Sequence, residues 1–126
     1  MPTAVVYFAE GDRNLLDLYG LFFPTNGKQG WQTGFFASPE ELLDGIRQQA
    51  PDVVVIDDYQ FCPDMDIPSL WWLKREYHNL KIVVTSFSHR EKEVKLAGAD
   101  QFIHKPLYDL QELEDAILRS LRSQPA

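Results

Sequence analysis

The sequence predicts a doubly wound α/β domain, in which a parallel sheet carries helices on both faces. Three observations favour this fold class. Short β-rich runs alternate with segments of helical periodicity, the strongest runs are continuously apolar, and no linker or repeat interrupts the alternation. Continuously apolar strands are expected where helices cover both faces of a sheet. The length of 126 residues suits one domain, so a single domain over residues 1–126 is expected.

Five strands and five helices are predicted in strict alternation. The strand candidates are TAVVYFA (3–9), GWQTGFF (30–36), DVVVID (52–57), KIVVTS (81–86) and QFIHK (101–105). The first helix is expected after an N-cap at Asp12, with a buried stripe of Leu15, Leu18, Tyr19 and Phe22. The later helices have start and stop signals: Ser38 with Glu41, a start near Ile67 or Pro68, Ser88 with Glu91, a glycine stop at Gly98, and Asp109 with Glu112.

Composition excludes several classes of function. The net charge is −7 and no basic block occurs, which argues against direct binding of nucleic acid because phosphate neutralisation needs clustered Lys and Arg. The apolar runs are too short to cross a bilayer, and the N-terminus has no secretory signal pattern. Cys62 is the single cysteine, so no internal disulfide can form. A cytoplasmic protein without membrane contact is expected.

The functional residues are expected directly after the strands. In open parallel sheets, ligands bind outside the carboxyl ends of the strands, where the strand order reverses. The residues at these positions are Glu10, Gly11 and Asp12; Asp57 and Asp58; Thr85 and Ser86; Lys105 and Pro106. A carboxylate, a hydroxyl and a lysine from different strand ends suit reversible phosphorylation of an aspartate. The aspartate is the nucleophile, and the other two groups stabilise the transferred oxygens.

Three segments carry a resemblance to a known family. PDVVVID, IVVTS and AGADQFIHKP together resemble the response-regulator receiver domain of two-component signalling, and the resemblance covers essentially the whole chain. It implies a flavodoxin-like (βα)5 sheet with strand order 2-1-3-4-5. It also implies that Asp57 is the phosphoacceptor, that Lys105 pairs a phosphoryl oxygen, and that Thr85 and Phe102 form the conformational switch.

The resemblance also implies a Mg²⁺ ion held by Glu10 and Asp57. Here the sequence departs from the family, because Gly11 stands where a second acid is usual. Asp12 or Asp58 could substitute, although each also has a structural explanation, as a helix cap or a solvated loop acid. The loop after Asp57 departs as well, since PDMD comes two residues later than usual and Ile67 follows it in place of glycine.

The family also indicates the partners. A histidine kinase or phosphotransfer protein would supply the phosphoryl group, and a homodimer could form through the face of helix 4, strand 5 and helix 5. The chain would act as a signalling module rather than as an enzyme, with its output made by another protein or by a larger chain. Adjacent Trp71 and Trp72 cannot both face one core stripe, so at least one is expected at an exposed interaction surface.

Two alternatives remain open. A phosphate-independent pseudo-receiver, acting as a protein-interaction module, is supported by Gly11 and the altered loop and opposed by Asp57, Thr85 and Lys105. A small flavodoxin-like cofactor binder would share the sheet order. It is disfavoured because AEGDRN, after the first strand, has acids where a phosphate-bearing cofactor needs glycine and hydroxyl donors.

Overall fold

The structure, a computed structural model, describes residues 3–57, 68–107 and 109–122, and five strands alternate there with five helices. The strands are β1 (Val5–Ala9), β2 (Gln32–Phe36), β3 (Val53–Asp57), β4 (Lys81–Ser86) and β5 (Gln101–His104). The helices are α1 (Arg13–Phe22), α2 (Pro39–Gln48), α3 (Pro68–Glu76), α4 (Glu91–Leu96) and α5 (Leu110–Arg122). The predicted alternation is confirmed.

The five strands form one parallel sheet in the order β2-β1-β3-β4-β5. This order confirms the doubly wound, flavodoxin-like fold. Strand β2 pairs with one edge of β1, and the chain then crosses over so that β3 pairs with the other edge of β1. The strand order therefore reverses between β1 and β3, where a crevice is expected at the carboxyl ends.

Alternating side chains of the central strands fill two cores, one on each face of the sheet. Every residue of β3 is buried, with Val53 and Val55 in one core and Val54 and Ile56 in the other. We call the core that contains Val55 the α1/α5 core, because Leu16 and Tyr19 of α1 and Leu113, Ala116 and Ile117 of α5 also belong to it. Burial on both faces explains why β3 is continuously apolar up to Asp57.

The buried face of α1 differs from the prediction. Leu16 and Tyr19 are buried, together with Phe23 just beyond the helix, whereas Leu18 is 51% and Phe22 38% exposed. The ring of Phe8 on β1 determines which face of α1 is buried, because it lies 5.3 Å from the Tyr19 ring and 5.0 Å from the Phe23 ring. Apolar residues occupy more than half of the helix circumference, so periodicity alone allows both stripes.

Most predicted helix boundaries are confirmed. Asp12 caps α1, since its Oδ1 accepts from the N–H groups of Asn14 at 2.9 Å and Leu15 at 3.3 Å. Ser38 Oγ accepts from the Glu41 N–H at 3.2 Å, while the Glu41 carboxylate accepts from the N–H of Ala37. Helix α3 begins at Pro68, Asp109 caps the start of α5, and Gly98 has a φ of +122° after α4. These short-range signals could be predicted because each depends on neighbouring residues.

The predicted capping box of Ser88 with Glu91 is wrong. Ser88 folds back on the end of β4, where its N–H donates to Ser86 Oγ at 2.9 Å. Arg90 occupies the N-cap of α4 without a side-chain capping bond, and Glu91 pairs with Lys95 at 3.0 Å. The buried Ser86 hydroxyl therefore competes with the helix terminus for Ser88.

Some predictions concern positions that lie outside the described residues. These are Asp58, the PDMD segment with Ile67, and the side chain of Trp71. On the same helix, Leu70 and Leu73 are buried and Trp72 is 41% exposed, so the prediction of an exposed tryptophan on α3 is confirmed. In the described ranges, no helix has the length and apolar character needed to cross a membrane.

The cap of α1 gives a test of what Asp12 does. Replacing Asp12 by alanine is expected to lower the free energy of unfolding by about 1 kcal/mol, because two N–H groups lose their acceptor. Asp12→Asn keeps a good capping side chain and is expected to be nearly neutral. Urea unfolding of the two variants measures the difference. If both variants lost the same free energy of unfolding, the negative charge of Asp12 and not its capping hydrogen bonds would be responsible.

Candidate functional site at the carboxyl end of the sheet

Four polar side chains lie at the carboxyl ends of β1, β3, β4 and β5. Each lies two residues beyond a side chain of the α1/α5 core, and because strand side chains alternate, each is expected on that same face. The four residues and the core residues that precede them are Glu10 after Phe8, Asp57 after Val55, Thr85 after Val83, and Lys105 after Ile103. Their exposed fractions are 1%, 7%, 1% and 9%, so the group is almost withdrawn from water.

Lys105 connects the two acids. Its Nζ donates to Glu10 Oε1 at 2.7 Å and lies 3.6 Å from Asp57 Oδ1. The side chains of Lys105 and Glu10 are only 4% and 1% exposed. The structure thus brings together three of the residues that the sequence predicts for the site, from the ends of β1, β3 and β5.

Thr85 completes the group from β4. Its Cα is the register partner of Asp57, so the two side chains emerge side by side from neighbouring strands. Within the described part of the chain, the buried Thr85 hydroxyl has no hydrogen-bond partner. A buried hydroxyl in this condition is available to bond a group that enters the site.

The surroundings of Glu10 disfavour its negative charge. Burial raises the pKa of the Glu10 carboxyl, because water no longer stabilises the ionised form. The hydrogen bonds from Lys105 and from the N–H of Asp12 lower this pKa, and the charge of Asp57 raises it. The net result of these contributions is a raised pKa of the Glu10 carboxyl. Burial therefore outweighs the hydrogen bonds that favour the ionised form of Glu10.

Glu10 should make the stability of the fold depend on pH. A raised folded-state pKa means that the contribution of this carboxyl is fully present below its ordinary pKa of 4.5 and is lost as pH rises through the raised value. Glu10→Gln has no such titration. We expect the free energy of unfolding of the wild type, relative to the variant, to fall as pH is raised from about 4 towards neutrality. Urea unfolding at several pH values measures this, and parallel profiles would contradict it.

The next question is which carboxylates at the site could bind Mg²⁺. Within the described ranges, no three His, Cys, Asp or Glu side chains form a group that could hold a metal ion. Gly11 contributes no side chain, and Asp12 is exposed and caps α1. Among the described residues, Glu10 and Asp57 are therefore the acids left at the site that could bind Mg²⁺. Mg²⁺ is usually held by one or two carboxylates together with phosphate oxygens and waters, so this pair fits the smallest such set.

Two aromatic residues lie near the site without entering it. Phe102, predicted as a switch residue, is half-buried against the core on the opposite face of the sheet, with its ring 4.9 Å from that of His104. Phe87 is 70% exposed, and Lys105 Nζ lies 5.5 Å from its ring centroid. Phe87 was not among the residues predicted for the site, although its position directly after β4 was a signal for it.

The amino-acid sequence was compared with known proteins. No family model matches the chain. A similar curated protein is sporulation initiation phosphotransferase F of Bacillus subtilis (strain 168), which is 30% identical over 112 residues. The match covers 83% of this chain and 88% of that protein.

Solved structures with the same fold are also similar. A response regulator from Thermotoga maritima has a TM-score of 0.79 at 18% identity, covering 98% of this chain and 99% of that one. The receiver domain DrrB in its BeF3-activated form has a TM-score of 0.75 at 21% identity, covering 98% and 100%. A signal receiver domain from Colwellia psychrerythraea 34H has a TM-score of 0.73 at 19% identity, covering 94% and 98%. At these identities the structures show a shared fold.

Proposed function

Because the chain belongs to the response-regulator receiver family of two-component signalling, we propose that it accepts a phosphoryl group on Asp57. One observation carries the proposal. The Asp57 carboxylate stands at the switch point of the sheet, 3.6 Å from the Lys105 ammonium and in register with the Thr85 hydroxyl. These are the nucleophile, the cation and the hydroxyl that the reaction requires.

In the proposed transfer, an Asp57 carboxylate oxygen forms a bond to phosphorus as the bond from phosphorus to the donor breaks. The donor is a phosphohistidine of a kinase or phosphotransfer protein, and its imidazole nitrogen leaves with the electron pair of that bond. Lys105 turns towards a phosphoryl oxygen and stabilises the charge that is delivered to a nearly dry site. Positioning and charge stabilisation account for the catalysis.

Mg²⁺ would be held by Glu10 and Asp57 and would neutralise charge on the phosphoryl oxygens. The raised pKa of the buried Glu10 carboxyl supports this role, because a bound cation would stabilise its ionised form. If Lys105 moves to the phosphoryl group, Glu10 loses its bond at 2.7 Å and needs another cation. The movement of Lys105 to the phosphoryl group and the binding of Mg²⁺ by Glu10 are therefore expected to be coupled.

The signal would leave the site through Thr85 and Phe102. The Thr85 hydroxyl is expected to donate to a phosphoryl oxygen, and this movement would allow the ring of Phe102 to turn inwards on β5. A phosphoryl group brings a charge near −2, enough to bias two arrangements of a loop and helix. The chain would act as a signalling component and not as an enzyme.

The proposed partners are supported by the curated relative and by exposed apolar side chains on the surface of the protein. The curated relative is a phosphotransferase by name, which supports a place in a phosphorelay. A cytoplasmic location is part of the proposal. Homodimerisation is proposed through α4, β5 and α5, where Leu96 of α4 is exposed, with Phe87 also exposed in the loop before α4. The exposed ring of Trp72 on α3 is proposed as an anchor for a protein partner.

A second candidate is a phosphate-independent interaction module. The glycine at position 11 and the closure of Lys105 on Glu10 favour it, because both reduce the capacity of the site for metal and phosphate. In such a protein the buried pair would serve only the fold.

Incubation with acetyl phosphate and Mg²⁺ tests the proposed function. We expect intact-mass spectrometry to show the gain of one phosphoryl group in the wild type and in Asp44→Asn, which changes an exposed acid on α2. Asp57→Asn should show no gain. Absence of a gain in the wild type, with no binding of Mg²⁺, would favour the interaction module.

A further inference from the structure

The backbone holds Phe87 close to Lys105. The carbonyl of Ser86 accepts from the N–H of Lys105 at 2.7 Å, and Phe87 is the next residue after Ser86. The turn that carries Phe87 is closed by Ser88, whose N–H donates to Ser86 Oγ at 2.9 Å. Hydrogen bonds on both sides of Phe87 therefore set its place relative to the lysine, although the residue itself is 70% exposed.

The ring of Phe87 presents its face to the ammonium group. Lys105 Nζ lies over this ring, 5.5 Å from the ring centroid. The face of an aromatic ring carries the negative part of its quadrupole and attracts a cation that lies within about 6 Å of the centroid. The lysine side chain is only 4% exposed, so a mostly exposed ring over it marks the solvent side of the ammonium group.

The ring is the third neighbour of the ammonium group in the resting protein. The other two are Glu10 Oε1 at 2.7 Å and Asp57 Oδ1 at 3.6 Å. The proposed transfer requires Lys105 to leave Glu10 and to turn towards a phosphoryl oxygen on Asp57. A group that stabilises the ammonium in its resting place shifts the equilibrium against that movement.

We propose that Phe87 is a positioning residue for Lys105: its ring holds the ammonium group in the resting place beside Glu10, and so limits the movement of this group to a phosphoryl oxygen on Asp57. The hold on the resting lysine is argued from the contacts alone, whereas its effect on the phosphoryl group rests on the proposed function. Because the face of the ring is responsible and not its bulk, the hold should strengthen from leucine to phenylalanine to tryptophan at position 87.

Acetylation of Lys105 by acetic anhydride tests the hold in the absence of phosphate. A buried amine reacts when local opening brings it to water, so the rate, followed by mass spectrometry of the digested protein, reports how firmly the group is held. We expect Phe87→Leu to be acetylated at Lys105 roughly 2–5-fold faster than the wild type, the factor that corresponds to a cation–π contact of an exposed ring. Phe87→Trp should be acetylated more slowly.

A trifluorinated phenylalanine at position 87 separates the charge of the ring from its shape. Fluorine atoms withdraw electron density from the ring face and change its size little, so this protein should behave like Phe87→Leu. Phe22→Leu is the matched control, since Phe22 is 38% exposed on α1 and its ring lies 4.8 Å from that of Phe23. The control should leave the acetylation of Lys105 unchanged. Equal rates in the wild type and the trifluorinated protein would overturn the role of Phe87, because the ring would then only cover the lysine.

Fluoroberyllate with Mg²⁺, a mimic of the phosphoryl group on aspartate, tests the consequence for the site. We expect calorimetric titration to show binding roughly 2–5-fold tighter in Phe87→Leu and in the trifluorinated protein than in the wild type, and weaker binding in Phe87→Trp. Unchanged affinity in these proteins, with a wild type that binds, would overturn the limit on the movement of Lys105. Failure of the wild type to bind would contradict the proposed function, and the acetylation rates would still decide whether the ring holds the lysine.

Discussion

Replacing Lys105 by methionine is expected to lower the free energy of unfolding by about 3–5 kcal/mol at neutral pH. The substitution leaves the Glu10 carboxylate, which is 1% exposed, without its bond at 2.7 Å. A buried charge that loses its partner is among the costliest changes in a small protein, unless the group takes up a proton. Because the pKa of Glu10 is already raised, the loss should shrink as pH is lowered.

Urea unfolding measures this effect, and two further variants define its origin. Lys95→Met breaks an exposed pair with Glu91 on α4, whose side chains are 47% and 48% exposed, and should cost no more than about 1 kcal/mol. The double variant Glu10→Gln with Lys105→Met should recover much of the loss, since no unpaired buried charge remains. If Lys105→Met were as stable as Lys95→Met, the buried pair would not contribute as described.

Glu10→Gln is expected to slow phosphoryl uptake from acetyl phosphate by at least about tenfold, the lower limit for loss of a group that supports a metal site. Glutamine keeps the size of the side chain but removes one of the two carboxylates that, among the described residues, lie beside Lys105 and could bind Mg²⁺. The rate of mass gain at several Mg²⁺ concentrations measures the effect, which should lessen as Mg²⁺ is raised.

Asp12→Asn is the matched control for this experiment. It also replaces an acid near β1 by its amide, but the Asp12 carboxylate caps α1 and its side chain is exposed. Its uptake should equal that of the wild type. If Asp12→Asn were slow and Glu10→Gln fast, Asp12 and not Glu10 would hold the ion.

The strand positions could be predicted because they depend on patterns that tertiary contacts do not override, whereas the strand order was implied by the resemblance to the receiver family. A continuously apolar run such as VVVI requires burial on both faces, and alternation with helices then allows few topologies. The helix starts at Asp12 and Ser38 were predictable for a similar reason, since a cap is a contact between neighbouring residues.

The errors come from contacts with buried side chains. The buried face of α1 is set by the packing of Tyr19 against Phe8 of another element, β1. Ser88 turns away from α4 because its N–H donates to the buried Ser86 hydroxyl at the end of β4. Glu10, Asp57, Thr85 and Lys105 could be selected from their places after strands. The closure of Lys105 on Glu10 could not, because it depends on the packing of side chains.

Chemical mapping of the acceptor determines whether Asp57 itself receives the phosphoryl group. Protein treated with acetyl phosphate and Mg²⁺ is reduced with borohydride, which converts an aspartyl phosphate to homoserine, and is then digested and sequenced by mass spectrometry. We predict homoserine at position 57 and at no other aspartate. Homoserine at Asp58 or Asp12, or no conversion in a protein that has gained no mass, would contradict the account.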